Sequence, residues 1–369
     1  MDVNRPPVLI LTAAFGDGHN AAARGLAAGI QLQGGQAVVA DPFAESQPAP
    51  NDFARRLYLT LINRAPHAWN LFYQTCHHLP LIEKTVLIHS AAQTRVEELL
   101  RLHQPKVVVV TFPVYAHLIA RLPREMRETF QLITVVTDSI TVHRLWSTAA
   151  ARLWIVPNEP TAESLAALGI PREKIRAVGF PVDPRFAAPE PHPGDEPPGE
   201  RPRILHLLNS GLRGGAELAA SLAAQPAWEL TVGTGRDSKV MEKVKEALGS
   251  NVSKVQLLGW SSEMPSLLAR NHFVVSKAGG ALTQETIASR TPLLVTQVVP
   301  GQEEGNFSLL RKIGVARLTP DGPSAVQAIR EALADHGKGW KEWKARLAAV
   351  SRPDASRRLA EICLGLTPS

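Results

Sequence analysis

Cysteine is scarce in this chain: only Cys76 and Cys363 occur among 369 residues. The two lie far apart and have no metal-ligand spacing, so we expect free thiols in a reducing compartment and no disulfide framework. No apolar run reaches the roughly 18 residues that span a bilayer. The short apolar run near the N-terminus ends at a glycine-rich turn, which is typical of a first β-strand and not of a secretory signal. These absences predict a cytoplasmic protein and leave contact with a membrane surface open.

A strong excess of one charge is also missing. The chain has 40 Lys and Arg against 34 Asp and Glu, a net charge of +6. This modest basic excess suits nucleic acid, an anionic membrane or a phosphorylated substrate, and composition does not choose among them. Hydrophobic residues make up 44% and charged residues 20%, which excludes a disordered chain. The length is sufficient for two domains with separate cores.

Strand and helix patterns alternate along both halves of the chain, which predicts a doubly wound α/β organisation. Strand patterns in the first half are 8–12, 37–40, 106–111, 132–137 and 152–156, and helix patterns are 21–33 and 161–168. A second alternating set starts at Ile204, with strand patterns at 229–232, 255–257, 272–275 and 292–299. The tail, 323–364, is largely of helical type. We therefore expect two Rossmann-like domains facing across a cleft, with ligands outside the carboxyl ends of the strands.

A proline-rich acidic stretch, 187–203, separates the two sets and is interpreted as a linker. The expected N-terminal domain is 1–186, on the acceptor and membrane side. The expected C-terminal domain is 204–345, on the nucleotide side. The remaining segment, 346–369, is expected to be a helix that could return to the N-terminal domain.

The turn after the first strand, Phe15 to Asn20, contains two glycines and His19. A neutral imidazole at this place could take a proton from an attacking hydroxyl group. The pattern favours equally a turn histidine that caps the following helix or faces solvent.

A second polar segment follows the strand pattern at 132–137. Asp138, at the carboxyl end of that strand, could orient a histidine or an acceptor hydroxyl; the alternative is a helix N-cap. His143 and Trp146 are three residues apart, so they could share one helical face, either as packing partners or as a wall for an acceptor.

Glycine-rich turns follow the strands of the second half, at 209–215, 233–236 and 259–260. Such turns and helix amino ends bind phosphate, whereas carboxylate and amide side chains bind sugar hydroxyls. The stretch 276–306 combines both, since it joins a glycine turn, a helix carrying Glu285 and a polar loop. Trp260 could stack near a base or pack in the core. The P-loop and dinucleotide patterns are missing, which disfavours a nicotinamide cofactor.

Residues 53–82 contain no Asp or Glu, although arginine and aromatic residues are frequent. This composition suits an anionic membrane interface, nucleic acid, or an amphipathic helix pair packed on the domain. We favour the membrane. The residues expected to meet membrane or acceptor are Arg55, Arg56, Tyr58, Trp69, Phe72 and Tyr73, together with His143 and Trp146.

At SKAGGALTQE (276–285) and PGQEEGN (300–306) the sequence resembles glycosyltransferase family 28. It is most similar to the branch of monogalactosyldiacylglycerol synthases and bacterial processive diacylglycerol glucosyltransferases. The resemblance covers nearly the whole chain and includes the turn at 16–19, the Thr-Asp-Ser…His…Trp segment at 137–146, and 178–182. It implies a GT-B fold and metal-independent transfer of a hexose, with inversion, from a UDP-sugar to a lipid at the cytoplasmic membrane face. It implies no cofactor and no nucleic-acid partner.

The resemblance also implies roles for individual residues. His19 would be the base, with Asp138 as the alternative. Glu285 would bind the ribose. The residues near the diphosphate would be Ser210, Gly211, Arg213, Gly214, Gly279 and Gly280. Those near uracil would be Gly259 and Trp260, those at the hexose Gln302 and Glu303, and further donor-side residues Gly235, Lys277 and Asn306.

The chain departs from this branch in two places. The first turn reads FGDGHN, whereas the plant enzymes are richer in glycine there, and 280–283 looks more like the lipid II N-acetylglucosaminyltransferases of the same family. The alternatives are therefore N-acetylglucosamine transfer to a polyprenyl- or lipopolysaccharide-type acceptor, a UDP-sugar 2-epimerase, and a nucleotide-sugar or lipid-binding protein without turnover.

Overall fold

The structure is a computed structural model that describes residues 6–78, 90–187, 193–199, 201–208, 214–301 and 303–366. The chain divides into two compact units. Unit 1 comprises Met1–Pro184, Pro300–Gly305 and Arg352–Ser369, and unit 2 comprises Arg185–Val299 and Asn306–Ser351.

Both units are built from parallel strands and helices. The strands are β1 Val8–Leu11, β2 Ala37–Ala40, β3 Val107–Val110, β4 Gln131–Val135, β5 Leu153–Val156, β6 Ile175–Ala177, β7 Arg203–Leu207, β8 Glu229–Gly233, β9 Val255–Leu258, β10 Phe273–Ser276, β11 Leu293–Val295 and β12 Arg317–Leu318. The helices are α1 Asp17–Leu32, α2 Pro42–Ser46, α3 Pro48–Arg64, α4 Pro66–His78, α5 Ser90–His103, α6 Pro113–Ala120, α7 Arg124–Arg127, α8 Glu159–Ala167, α9 Gly215–Ala223, α10 Ser238–Leu248, α11 Met264–Arg270, α12 Gly280–Ala288, α13 Glu304–Ile313, α14 Gly322–Val350 and α15 Ala355–Gly365.

The sheet of unit 1 has the strand order β2-β1-β3-β4-β5-β6 and is parallel throughout. Its central strands are continuous apolar runs because helices cover both faces, and every residue of β1 and β3 is buried. The chain leaves β1 towards β2 on one side and returns to β3 on the other. The carboxyl ends of β1 and β3 therefore flank a topological switch point, which is the usual ligand crevice of such a sheet.

Helix α1 packs closely on α15, the C-terminal helix of unit 1. A Cβ atom added at Gly29 would lie 2.6 Å from the Ser356 carbonyl oxygen, so the two backbones meet where α1 has no side chain. Leu359 and Cys363 of α15 are fully buried beside Ile30 of α1. The small residues of α1 thus bring the C-terminal helix into the core of this unit.

The sheet of unit 2 has the strand order β12-β11-β10-β7-β8-β9, again parallel. Here the switch point lies between β7 and β10. Helix α14 completes the core, and it is interrupted by non-helical residues at 334–337. Trp340, beyond the interruption, is buried and donates a hydrogen bond to the His272 carbonyl at 3.1 Å.

Residues 193–199, within the stretch interpreted as a linker, are attached to unit 2. The Asp195 carboxylate pairs with Lys344 and lies 2.9 Å from the Arg290 guanidinium. Burial lowers the pKa of Lys344, while Asp195 opposes that shift. This charged contact joins the entry of unit 2 to α14.

Two boundaries differ from the sequence prediction by more than two residues. Helix α1 begins at Asp17 and not at Ala21, since Gly16 (φ 101°) supplies the helix N-cap. His19 is therefore in the first helical turn. The strand predicted over 292–299 is only Leu293–Val295, because the chain leaves the sheet after three paired residues.

Candidate active site

His19 lies at the switch point of unit 1. Its Nδ1 atom is 2.7 Å from the Thr111 carbonyl oxygen, just past β3, and 2.9 Å from Thr137 Oγ1, just past β4. A carbonyl oxygen only accepts, so Nδ1 carries the hydrogen and donates it to Thr111. The tautomer that this contact favours leaves a lone pair on Nε2.

The surroundings of His19 keep its ring neutral. Burial lowers the pKa of His19 to about 4, and the hydrogen bond to Thr111 opposes the shift. The ring packs edge-on against Phe112, with centroids 5.1 Å apart, and its centroid is 6.2 Å from that of Trp146. A neutral imidazole in a fixed orientation, with an unprotonated Nε2, has the form required of a general base.

Trp146 connects Asp138 with His19, since it bonds the Asp138 carboxylate and its ring is a neighbour of the His19 ring. The Trp146 Nε1–H donates to Asp138 Oδ2 at 2.8 Å. Burial raises the pKa of Asp138 to about 6, against the hydrogen bonds from Trp146 and the His143 backbone. Asp138 is not a helix N-cap. That role at the 3-10 turn Arg144–Trp146 is taken by His143, whose Nδ1 accepts from the Leu145 amide at 3.3 Å.

Asp41 is a supporting residue that the sequence reasoning missed. It follows β2, and its carboxylate accepts from the Ala14 amide at 3.0 Å, the Ala44 amide at 3.1 Å and the Tyr115 hydroxyl at 3.0 Å. These bonds fix the turn that leads into α1. The sequence signal that could have identified Asp41 is an Asp at the end of a strand with a proline after it, which is typical of the start of a capped helix.

A chain of aromatic rings runs from the His19 turn to helices α3 and α4; we call it the aromatic collar. Successive centroids are 5.7 Å apart for Phe112–Phe15, 6.4 Å for Phe15–Tyr58, 5.0 Å for Tyr58–Trp69, 6.3 Å for Trp69–Tyr73 and 5.0 Å for Tyr73–His143. Separately, the Trp146 ring centroid lies 6.2 Å from that of His19. The collar therefore brings together Tyr58, Trp69, Tyr73 and His143, four of the residues that the sequence predicts to meet membrane or acceptor.

The outer faces of α3 and α4 are apolar and basic. Arg55 and Arg56 are exposed. Phe53 is 70% exposed and Phe72 is 51% exposed, beside the exposed Leu57 and Leu71. Large apolar side chains that are open to solvent and accompanied by arginine are typical of a membrane-binding face.

The loop 300–305 belongs to unit 1. A Cβ atom at Gly305 would overlap the Ser139 carbonyl oxygen, and one at Gly301 (φ 78°) would lie 2.9 Å from both Asn70 Oδ1 and Tyr73 Cδ1. Burial raises the pKa of Tyr73, with further contributions from the carboxylates of Asp138 and Glu304. Glu303 in this loop is buried. Gln302 lies outside the described residues.

In unit 2, the strands β7 and β10 flank the switch point. Ser276 Oγ donates to the Leu207 carbonyl at 2.9 Å, and Gly214 (φ 77°) caps α9. After β10, Lys277 and Gly279 form a tight turn, and α12 begins at Gly280. Helices α9 and α12 follow the neighbouring parallel strands β7 and β10, so both begin at the carboxyl edge of the sheet, and helix amino ends at such an edge are suited to phosphate. Ser210, Gly211 and Arg213 lie outside the described residues.

Two further residues that the sequence predicts on the donor side are Glu285 and Asn306. Glu285 is partly buried on α12. Asn306 is buried, and its Nδ2 donates to the Ala278 carbonyl at 2.9 Å, so it supports the turn after β10.

An exposed aromatic platform stands at the ends of β8 and β9. The Arg236 guanidinium carbon lies 4.3 Å from the ring centroid of Trp260, which is 58% exposed. Gly235 (φ 70°) and Gly259 form the turns that bring the two together. We find no carboxylate partner for Arg236 among the residues that the structure describes. Sequence reasoning singled out Trp260 but missed its cationic partner, which is distant in sequence.

Within the part of the chain that the structure describes, no group of three or more His, Cys, Asp or Glu side chains is placed to hold a metal ion. None of the described helices is both long and apolar enough to cross a membrane.

Comparisons with known proteins agree with the resemblance seen in the sequence. Residues 19–182 match the monogalactosyldiacylglycerol synthase family. The chain is 24% identical over 379 residues to a processive diacylglycerol beta-glucosyltransferase of Bacillus mycoides, covering 98% of this chain and 94% of that protein. A protein of the same description from Bacillus cytotoxicus is 22% identical over 369 residues, with the same coverage.

Solved structures show the same fold at lower identity. The glycotransferase of kitacinnamycin is 13% identical with a TM-score of 0.62, covering 99% of this chain and 100% of its own. A UDP-GlcNAc 2-epimerase from Neisseria meningitidis, bound to UDP-GlcNAc, is 13% identical with a TM-score of 0.59, covering 97% and 100%. These similarities confirm the predicted α/β, GT-B fold class.

Proposed function

Because residues 19–182 of this chain match the monogalactosyldiacylglycerol synthase family, we propose that the whole chain is a UDP-sugar-dependent glycosyltransferase with a lipid acceptor. The relatives that match over 98% of the chain carry the name of diacylglycerol glucosyltransferases, and they support a hexose as the transferred group. We further propose that the acceptor is of diacylglycerol type.

The observation that carries this proposal is the state of His19. The acceptor hydroxyl attacks the anomeric carbon of the donor, its proton moves to His19 Nε2, and the bond from the anomeric carbon to the UDP oxygen breaks with its electron pair. A single displacement of this kind inverts the anomeric configuration. The Thr111 carbonyl keeps the proton on Nδ1, so that Nε2 is the basic atom throughout.

Asp138 is proposed as a positioning residue. Its carboxylate holds the Trp146 indole at 2.8 Å, and this indole is a neighbour of the His19 ring. Asp138 thus orients the acceptor wall, and it is the alternative to His19 as the base.

The donor roles are proposed residue by residue. The amino ends of α9 and α12, with Lys277, would bind the diphosphate, because helix N–H groups and a cation stabilise the leaving negative charge. Glu285 would accept from the ribose hydroxyls, and Gln302 and Glu303 from the hexose. The Trp260 face would stack on uracil, with Arg236 behind it. The charge of the leaving group would thus be stabilised without a metal ion.

The exposed faces of α3 and α4 support a peripheral membrane position. Arginine attracts an anionic leaflet, and Phe53, Leu71 and Phe72 would enter its interface. We propose that unit 1 binds the cytoplasmic membrane face in this way and draws the lipid headgroup towards the aromatic collar.

A donor screen tests the proposed function. The full chain is incubated with total lipid extract and, in turn, UDP-glucose, UDP-galactose and UDP-N-acetylglucosamine, with EDTA in a parallel series. Mass spectrometry should find a hexosyl lipid with one UDP-hexose, and EDTA should leave its yield unchanged. An N-acetylhexosamine product would select the polyprenyl- or lipopolysaccharide-type alternative. No product with any donor would refute a transferase.

A further inference from the structure

The segment that follows β4 contains a strained turn. Ile140 has a φ of 57°, in the left-handed region that a β-branched residue rarely occupies. The Thr141 amide donates to the Ser139 carbonyl oxygen, two residues back, at 2.6 Å. A three-residue turn with a positive φ at its centre is rare and strained. Strain of this kind persists only where the surrounding structure holds it, and it is concentrated at functional sites.

A side chain from α8 holds this turn. Thr161, in the first turn of that helix, accepts from the Ile140 amide through Oγ1 at 2.9 Å. The Thr161 hydroxyl donates its own hydrogen to Asn158 Oδ1 at 2.8 Å, so an oxygen lone pair is directed to Ile140. Thr161 is fully buried, and its hydroxyl is therefore oriented by the protein and not by solvent.

The turn places the Asp138 carboxylate at its entry against two donors at its exit. That carboxylate accepts from the His143 backbone amide and, at 2.8 Å, from the Trp146 indole. The Trp146 ring is a neighbour of the His19 ring, with centroids 6.2 Å apart. An extended backbone at Ile140 would separate Asp138 from both donors, because the chain would no longer fold back on itself.

We propose that Thr161 is a positioning residue of the acceptor site: it holds Ile140 in the left-handed conformation, which directs Asp138 to Trp146 beside the proposed base. The inference rests on the proposed function and adds to it a residue that touches no substrate. Without the Thr161 oxygen, Ile140 would relax towards an extended conformation, since the strain would no longer be opposed. A glycine at position 140 adopts a positive φ without steric cost, so it would not need Thr161.

The test is a double-mutant cycle between these two positions. Thr161→Val keeps the shape of the side chain and removes the hydroxyl, and we expect kcat with UDP-hexose and diacylglycerol to fall about two- to tenfold, the effect of one lost hydrogen bond. Adding Ile140→Gly to Thr161→Val should restore most of this loss, which a role of Thr161 in packing alone would not allow. Thr161→Ser keeps the hydroxyl and should lose little.

The matched control is Ser164→Ala on α8, whose hydroxyl donates to the Pro160 carbonyl of the same helix at 3.1 Å. It should keep the wild-type kcat, and the Kd for UDP should be the same in all variants. A loss in Thr161→Val that Ile140→Gly does not restore, an equal loss in Thr161→Ser, or a wild-type kcat in Thr161→Val would overturn the inference.

A spectroscopic measurement separates this inference from the proposed function. If the wild type transfers no hexose to lipid, the proposed function fails, and the Trp146 indole N–H signal in ¹⁵N NMR, assigned with Trp146→Phe, decides the positioning role. The signal should move in Thr161→Val, because the bond to Asp138 is weakened, and should return when Ile140→Gly is added. A signal that Thr161→Val leaves in place, or that Ile140→Gly does not return, would contradict the positioning role.

Discussion

At the scale of single residues, the proposed chemistry depends on the pKa values of two buried groups, His19 and Asp138. Burial moves the pKa of His19 down to about 4 and that of Asp138 up to about 6, so both are shifted towards their neutral forms. The sequence predicted both residues as candidates because each follows a strand. It did not predict the separate roles proposed for the two residues. Those roles depend on the contact of His19 with Thr111, 92 positions away, and on the contact of Asp138 with Trp146, 8 positions away.

Replacement of His19 by glutamine should abolish most of the turnover. Without a base the acceptor hydroxyl keeps its proton, and we expect kcat to fall about 10²–10⁴-fold. The Kd for UDP, measured by titration calorimetry, should be unchanged because His19 takes no part in donor binding. Asp138→Asn is the comparison variant, and it should retain far more activity than His19→Gln. A larger loss in Asp138→Asn would transfer the role of base to Asp138.

The acid limb of the pH profile separates the two candidates independently. A base is active when deprotonated, so activity falls as the pH drops through the pKa of that group. If His19 is the base, kcat/KM should fall with an apparent pKa of about 4 and stay level around pH 6. If Asp138 is the base, the fall should be centred at about 6. The measured quantity is kcat/KM for the UDP-hexose at saturating lipid. It is measured within the pH range in which circular dichroism shows a folded chain.

The Arg236–Trp260 platform makes a prediction about the nucleotide. Trp260→Ala should weaken UDP binding about 5- to 150-fold, the range that corresponds to losing one base–aromatic stack. Arg236→Gln should weaken it less, because a solvent-exposed cation–π contact contributes only about 0.5–1 kcal/mol. Lys245→Gln on α10, at an exposed salt bridge with Glu242, serves as the control and should bind UDP normally. An unchanged Kd in Trp260→Ala would remove uracil from this platform.

At the scale of elements, the strands were predictable and several junctions were not. Runs such as VLIL and VVVV, short and rich in branched residues, are typical of buried parallel strands. The start of α1 was placed too late because Gly16, Asp17 and Gly18 have the composition of a turn, whereas the structure uses Gly16 as the N-cap. The attachment of loop 300–305 to unit 1 depends on its contacts with Ser139 and Tyr73, which no local pattern encodes.

The contact between α1 and α15 should be sensitive to a single methyl group. Gly29→Ala would place a Cβ 2.6 Å from the Ser356 carbonyl oxygen, and both partners are helix backbone that cannot yield locally. We expect a loss of about 1–3 kcal/mol in the free energy of unfolding, the usual cost of overpacking. Chemical denaturation measures it, and Arg24→Ala, on the exposed side of the same helix, should change stability little. Equal stability of Gly29→Ala and wild type would mean that the helices are farther apart.

At the scale of the whole molecule, each unit has its own parallel sheet, its own core and its own switch point. The proposed base lies at the first switch point and the proposed phosphate-binding turns lie at the second. The alternating patterns and glycine turns predict a ligand-binding edge in each half, and the family resemblance implies the base in the first half and the donor phosphates in the second. The sequence did not predict which later segments belong to unit 1. These segments are Pro300–Gly305 and Arg352–Ser369, which follow most of unit 2 along the chain.

The most direct test of hexosyl transfer to lipid is the acceptor dependence of UDP release. UDP-hexose is incubated with the full chain in vesicles with and without diacylglycerol, and UDP, residual donor and lipid products are quantified together. UDP should appear only with diacylglycerol, and its amount should equal the total amount of sugar in the hexosyl lipids. Conversion of the donor into an epimeric or free sugar without any lipid acceptor, or UDP release that diacylglycerol does not increase, would contradict hexosyl transfer to lipid.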